Sequence, residues 1–260
     1  IDAILKTVKT DNMETVERAS AKIQALILAA KVPDDISTNA LQNYRTLGAA
    51  FVAVRSSATA EDSATAAWAG QLDTFLNTTE ATLIENVLKC WASLFTPRAI
   101  FYRFEKGLDQ TKISVAVVVQ KMVNADCSGI AFSVHPVTED RNQMIIEAAW
   151  GLGEAVVSGQ ITPDSYVVTK SPRAIIDKNI ATKTRSLIRA NGGIGGNEWV
   201  NIAEPRASSQ TLTDEQILAL SETLITIENH YAFPVDTEWA MEAGTFYFTQ
   251  SRPITTLSGL

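Results

Sequence analysis

Val235-Asp236-Thr237-Glu238-Trp239-Ala240-Met241, then Gly244, then Phe246-Tyr247-Phe248-Thr249-Gln250-Ser251-Arg252 closed by Pro253, reads as a β-hairpin. Strict alternation puts Val235, Thr237, Trp239 and Met241 on one face and Asp236 and Glu238 on the other. Gln250 and Arg252 share a face on the returning strand, and Pro253, which has no N–H to give a ladder, ends it. With a three-residue loop at 243–245, Glu238 stands opposite Gln250 and Asp236 opposite Arg252. A two-residue loop sets Glu238 against Thr249 instead, and the constellation dissolves. Two carboxylates and an amide oxygen are hard ligands of the kind Mg2+ shares with substrate phosphates. A guanidinium beside them matches a phosphate as a bidentate fork. The same spacing also suits an Asp236–Arg252 salt bridge on a solvated face, so the hairpin alone leaves both readings open.

Before the hairpin the period is that of strands. Residues 113–122 read as a buried strand, followed by strands at 129–134, 143–148, 165–168 and 174–177. Thr213-Asp214-Glu215-Gln216 is a capping box that opens a helix with Ile217, Leu220, Leu224 and Ile227, ending near His230. The run Asn191-Gly192-Gly193-Ile194-Gly195-Gly196-Asn197 reads as a linker or hairpin tip, since no helix starts behind it to help cradle a phosphate. The first half is helical by contrast. Helices are expected at 14–31, at 38–49, from residue 79, and after the Thr96-Pro97 cap. Between them Phe51-Val52-Ala53-Val54 is a short strand that breaks into the small polar residues 55–62, expected to be a loop that something approaches closely.

The 260 residues, 46% hydrophobic and 20% charged, have ample material for a core and exclude a disordered or low-complexity chain. A formal charge of −7 provides no basic field for nucleic acid or anionic membrane, so any phosphate is held locally. No apolar run approaches the length of a membrane span. Cys90 and Cys127 form neither a CxxC pair nor a disulfide framework; they read as small core or near-surface apolar residues and point to a reducing, cytoplasmic setting. The amino terminus shows neither an initiator Met nor a signal-peptide pattern, and is expected to be part of something longer.

Val54-Arg55-Ser56-Ser57-Ala58-Thr59-Ala60-Glu61-Asp62, Ala69-Gly70-Gln71, Val119-Gln120-Lys121-Met122-Val123, Ser128-Gly129-Ile130-Ala131-Phe132, Gly151-Leu152-Gly153-Glu154 and Gln250-Ser251-Arg252-Pro253-Ile254-Thr255 occur in that order. Together they resemble the ATP-binding domain of the phosphoenolpyruvate synthase and pyruvate phosphate dikinase family, which rifampicin phosphotransferases share. The resemblance implies an α/β (α+β) ATP-grasp fold with two subdomains, 1–110 and 111–260, built mainly on antiparallel sheets, with ATP and Mg2+ between them. It implies that Arg55 and Arg252 contact the ATP phosphates and act in catalysis. Gly70 would allow close approach of a phosphate, and Gln120, Lys121, Met122 and Val123 would form the adenine hinge. Glu238 and Gln250, supported by Asp236, would hold Mg2+. Glu154 would face the ribose or serve as a helix-dipole partner, and Ser128-Gly129 would form a turn covering the phosphates as a lid.

Family members pass a phosphoryl group from ATP to a histidine on a swivelling domain and then to an acceptor on a third domain. Neither motif is present here, and the Gly-Gly-Lys segment that usually precedes the first motif is missing. The resemblance thus implies the ATP half-reaction of a pyruvate, water dikinase-like phosphotransferase, with the isolated segment inactive in transfer. Its partners would be the phosphohistidine domain and the acceptor-binding domain of the parent enzyme. A rifampicin-type phosphotransferase domain and a nucleotide-sensing module without turnover are the alternatives. His135 reads as a turn residue and His230 as a helix-terminal cation.

Overall fold

A computed structural model of the chain describes residues 1–58, 62–63, 66–67, 72–108, 113–190 and 196–257. It divides into two units, Ile1–Met122 and Val123–Leu260.

The first unit opens with α1 (Asp2–Leu5), α2 (Met13–Leu28) and α3 (Asp34–Leu47). Asn12 caps α2 by accepting from the Glu14 N–H, and the helix buries Val16, Ala19 and Ile23, the face its apolar spacing requires. α3 starts earlier than expected, with Asp34 and Asp35 in its first turn, and Gly48 stops it at φ 62°. There follow β1 (Val52–Ala58), β2 (Asp62–Ser63), β3 (Ala66–Ala67), β4 (Thr74–Thr78), α4 (Leu83–Ser93), α5 (Pro97–Glu105) and β5 (Val115–Lys121). Thr96 accepts from the Ala99 N–H ahead of Pro97, the cap expected for α5.

Arg55-Ser56-Ser57, expected to be loop, belong to β1. β5 pairs with β1 throughout, Arg55 against Val118, and β4 pairs on the other side, Arg55 against Thr74. Two neighbouring ladders override a weak local preference. Val52 and Val54 pack with Leu83, Val87 and Cys90 beneath α4, so Arg55 and Ser57 project from the other face. β5 was expected to be buried but lies at an edge of the order β4-β1-β5, leaving Val118 46% exposed.

The second unit contains β6 (Cys127–Phe132), β7 (Gln143–Trp150), α6 (Glu154–Val157), β8 (Asp164–Lys170), β9 (Arg173–Asn179), β10 (Arg185–Arg189) and β11 (Asn197–Asn201). It ends with α7 (Asp214–Tyr231), β12 (Val235–Glu242) and β13 (Thr245–Pro253). Six strands form one antiparallel sheet in the order β13-β12-β6-β7-β8-β9. The expected capping box of Thr213 and Gln216 opens α7, whose Ile217, Leu220 and Leu224 pack on one face of the sheet against Ile146, Tyr166, Val235 and Trp239. β10 and β11 pair from Arg185–Asn201 to Arg189–Asn197, a hairpin flanking the glycine run; residues 191–195 lie outside the described residues.

Ser128 and Gly129 do not form a lid turn. Both are buried inside β6, between β12 and β7, where ladders on either side hold the backbone. Cys90 and Cys127 are buried, and burial pushes their thiols up to about 11 and about 12, as small core residues rather than nucleophiles. Among the described residues no helix is long and apolar enough to cross a membrane.

Candidate nucleotide site

The closing hairpin turns on two residues, Ala243 and Gly244, with φ of 49° and 79°. Positive φ at both central positions matches the twist of the flanking strands. From Glu242–Thr245 to Trp239–Phe248 the register follows from that tight turn, and if continued it would set Glu238 against Thr249. A bulge intervenes between Trp239 and Glu238, leaving Thr249 as the extra residue and restoring Glu238 opposite Gln250 and Asp236 opposite Arg252. The expected pairs are therefore present, although the expected loop length is not.

Asp236 Oδ2 accepts from Arg252 Nε at 2.9 Å, with the carboxylate side chain 14% and the guanidinium side chain 39% exposed. The salt bridge and the phosphate fork are thus compatible. The carboxylate fixes the guanidinium through Nε, and the two terminal nitrogens have no hydrogen-bond partner among the described residues. Among those residues no three or more His, Cys, Asp or Glu side chains converge as a metal cage. The candidate donor set is one carboxylate with one facing amide, Glu238 and Gln250, flanked by Asp236. That poverty of protein donors fits Mg2+, which takes few carboxylates and completes its octahedron with water and phosphate oxygens.

The rows continue across the sheet on the face opposite α7. Glu238 is followed by Ile130, Glu147 and Ser165, and Asp236 by Phe132, Ile145 and Val167. The face has a charged margin on β12 and β13, while β6, β7 and β8 give it Ile130, Phe132, Ile145, Ala149 and Val167 interspersed with Ser128, Gln143, Ser165 and Thr169. Glu147 is the one charged residue these three strands place on that face among the described residues: half-buried, with burial raising its carboxyl above the usual carboxylate range. Sequence reasoning missed it, although a single carboxylate in Met144-Ile145-Ile146-Glu147-Ala148-Ala149 is the signal that could have marked it.

In the first unit Arg55 lies on the face away from α4, with Nη1 donating to Gln120 Oε1 at 3.0 Å. Thr74, on the unexpected strand β4, stands beside it. Gln120 and the exposed Lys121 end β5. The Met122 N–H donates to the Phe51 carbonyl at 3.1 Å, which occupies one backbone donor that a base-reading hinge could use; Val123 begins the second unit. Glu154 is exposed at the start of α6 and accepts from Asn197 Nδ2 at 2.6 Å, which ties it to β11. Gly151, two positions after the buried Ala149, has φ 84°, and a Cβ there would meet Ser186 Oγ and the Leu187 carbonyl, so its role is close packing on β10. Gly70 lies outside the described residues. His135 Nδ1 accepts from the N–H groups of Val137 and Thr138, the turn role expected of it, and His230 is in the last turn of α7.

Mixed α/β units on antiparallel sheets, led by the six-stranded sheet, are the architecture of an ATP-grasp-like domain. The chain belongs to the family described as pyruvate phosphate dikinase, AMP/ATP-binding domain, which matches residues 1–259. It is 44% identical to a probable phosphoenolpyruvate synthase of Methanocaldococcus jannaschii over 99% of its own length and 22% of the relative. A phosphoenolpyruvate synthase of Pyrococcus furiosus is also 44% identical, over 99% of this chain and 33% of that protein. A rifampicin phosphotransferase of Bacillus subtilis is 42% identical, over 97% of this chain and 29% of that one. The chain thus spans a third or less of each of these relatives.

Proposed function

We propose that the hairpin β12–β13 holds the phosphates of Mg·ATP, and that the domain performs the ATP half-reaction of a phosphotransferase that makes phosphoenolpyruvate from pyruvate through a phosphohistidine on another domain. The observation that carries this is the guanidinium of Arg252, held at Nε by Asp236 with its terminal nitrogens unengaged beside the Glu238–Gln250 pair. Mg2+ bound by Glu238 and Gln250 would neutralise charge on the phosphate oxygens. Asp236 fixes the orientation of Arg252, so little side-chain entropy is lost when the fork meets an anion. Arg55, steadied by Gln120, is a second phosphate contact; Arg55 and Arg252 are the charges that stabilise the leaving phosphoryl group. Gln120 to Val123 read the adenine. Relatives named for rifampicin phosphotransfer support the same ATP half-reaction with a different final acceptor.

Arg252→Lys keeps the charge and loses the fork, so Mg·ATP affinity is expected to fall about tenfold, as it is for Arg55→Lys. Isothermal titration of the two variants against the parent measures this; unchanged affinity in both would remove the phosphate assignment. The chain alone is expected to give no phosphoenolpyruvate from labelled ATP, Mg2+ and pyruvate, because in-line transfer needs an aligned acceptor that the proposal places on other domains. Product at an enzyme-like rate would show that the acceptor lies within this chain.

A further inference from the structure

Glu147 is a carboxylate of the second unit that the Mg·ATP reading does not use. Glu147 stands in the row Gln250–Glu238–Ile130–Glu147–Ser165, two strands from Glu238, or about 9.5 Å between backbones. Antiparallel partners share a face, so Glu147 projects on the side that carries the proposed metal and phosphate groups, opposite α7. Its surroundings differ from theirs. Ile130 separates it from Glu238, Ile145 and Ala149 precede and follow it on the same face of β7, and no arginine or lysine is paired with it in the row. Its carboxylate has no hydrogen-bond or ion-pair partner among the described residues, and its upward shift has burial as its sole cause.

A half-buried acceptor without a donor costs free energy in the folded chain, and a ligand that supplies the donor recovers it. Phosphates would be repelled by the carboxylate, and beside it the row offers a hydrated cation no second carboxylate nearer than Glu238, only the Ser165 hydroxyl. One carboxylate set among Ile130, Ile145 and Ala149, with the Ser165 hydroxyl beside it, instead suits the uncharged end of a nucleotide, which combines apolar surface with a few hydroxyl donors. We propose that Glu147 is a nucleoside-binding residue of this face, accepting hydrogen bonds from the ribose hydroxyls of the nucleotide whose phosphates the hairpin holds. The inference rests on the Mg·ATP reading and adds the recognition of the sugar. It also assigns to Glu147 the ribose contact that the sequence suggested for Glu154, whose carboxylate is already engaged by Asn197.

The test is a calorimetric cycle with Mg·ATP and Mg·2′,3′-dideoxy-ATP on the parent, Glu147→Ala and Glu147→Gln. The parent is expected to prefer ATP by about tenfold to a hundredfold, the range for a hydrogen bond to a charged group. Glu147→Ala should abolish that preference while leaving the dideoxy affinity within about twofold. Glu147→Gln, which retains an acceptor oxygen, should keep part of the preference and bind the dideoxy analogue like the parent. A preference for ATP that survives in Glu147→Ala, or equal losses for both nucleotides, overturns the inference and leaves the Mg·ATP reading standing. A parent that binds neither nucleotide overturns both.

Discussion

Asp164→Ala is expected to destabilise the second unit by about 3–5 kcal/mol, the usual cost of removing one partner from a buried ion pair. Asp164 and Lys183 pair with both side chains fully buried. Each carboxylate oxygen has a further partner: Oδ1 accepts from the Ala181 N–H at 2.9 Å, and Oδ2 from the Thr211 N–H at 2.8 Å and the Tyr166 hydroxyl at 3.0 Å. One side chain therefore joins β8 to the segments that precede β10 and α7. Truncating it strands an ammonium, two backbone amides and a phenol in a space that water does not reach. Removing both charges by Asp164→Leu with Lys183→Met should cost less than Asp164→Ala alone, because no ammonium is then left unpaired. Denaturant unfolding of the three variants measures this, and a cost below about 1 kcal/mol for Asp164→Ala would contradict the clamp.

Gly129→Ala should be nearly as damaging, at or above the upper end of the roughly 1–3 kcal/mol typical of overpacking. A Cβ at Gly129 would lie 2.9 Å from Trp239 Cζ2 and far inside contact with the Glu147 carbonyl oxygen. Trp239 is 1% exposed and packed within the core beneath α7, and the Glu147 carbonyl belongs to the neighbouring strand of the same ladder, so neither can yield. Gly129→Val should leave little folded protein. The melting temperature of Gly129→Ala is the measurement, and a value equal to the parent's would mean that the sheet is far more compliant at its centre than this packing implies.

Much of the second unit was legible because its signals are periodic. Strand-like runs marked β7, β8 and β9, alternation marked β12, and a capping box marked α7; in β8 and β12 the structure shows the one-faced burial such patterning reflects. What escaped was set by partners distant in sequence. Arg55-Ser56-Ser57 has a loop-like composition and becomes strand because β4 and β5 pair on both sides of it. Ser128-Gly129 looks like turn chemistry, but the glycine leaves room for the Glu147 carbonyl of the neighbouring strand and for Trp239. The hairpin shows a subtler limit. The tight turn at Ala243-Gly244 would have misplaced Glu238, and only the bulge at Thr249, an irregularity with no local signature, restores its partner Gln250. Glu147 escaped for a related reason. Its place beside the hairpin depends on the strand order β12-β6-β7, which no local pattern reveals.

The central claim is that Glu238 and Gln250 hold Mg2+ for ATP, and its most direct measurement is calorimetric titration of ATP into the parent and into Glu238→Ala, each with and without Mg2+. Glu238 is a half-buried side chain on the face away from the α7 core, so its loss should leave the unfolding midpoint close to the parent's. The account predicts that Mg2+ strengthens ATP binding in the parent, that Glu238→Ala loses most of that gain, and that Mg·ATP affinity falls at least about tenfold. Equal Mg·ATP affinity in the two proteins, with the same gain from Mg2+, would contradict it.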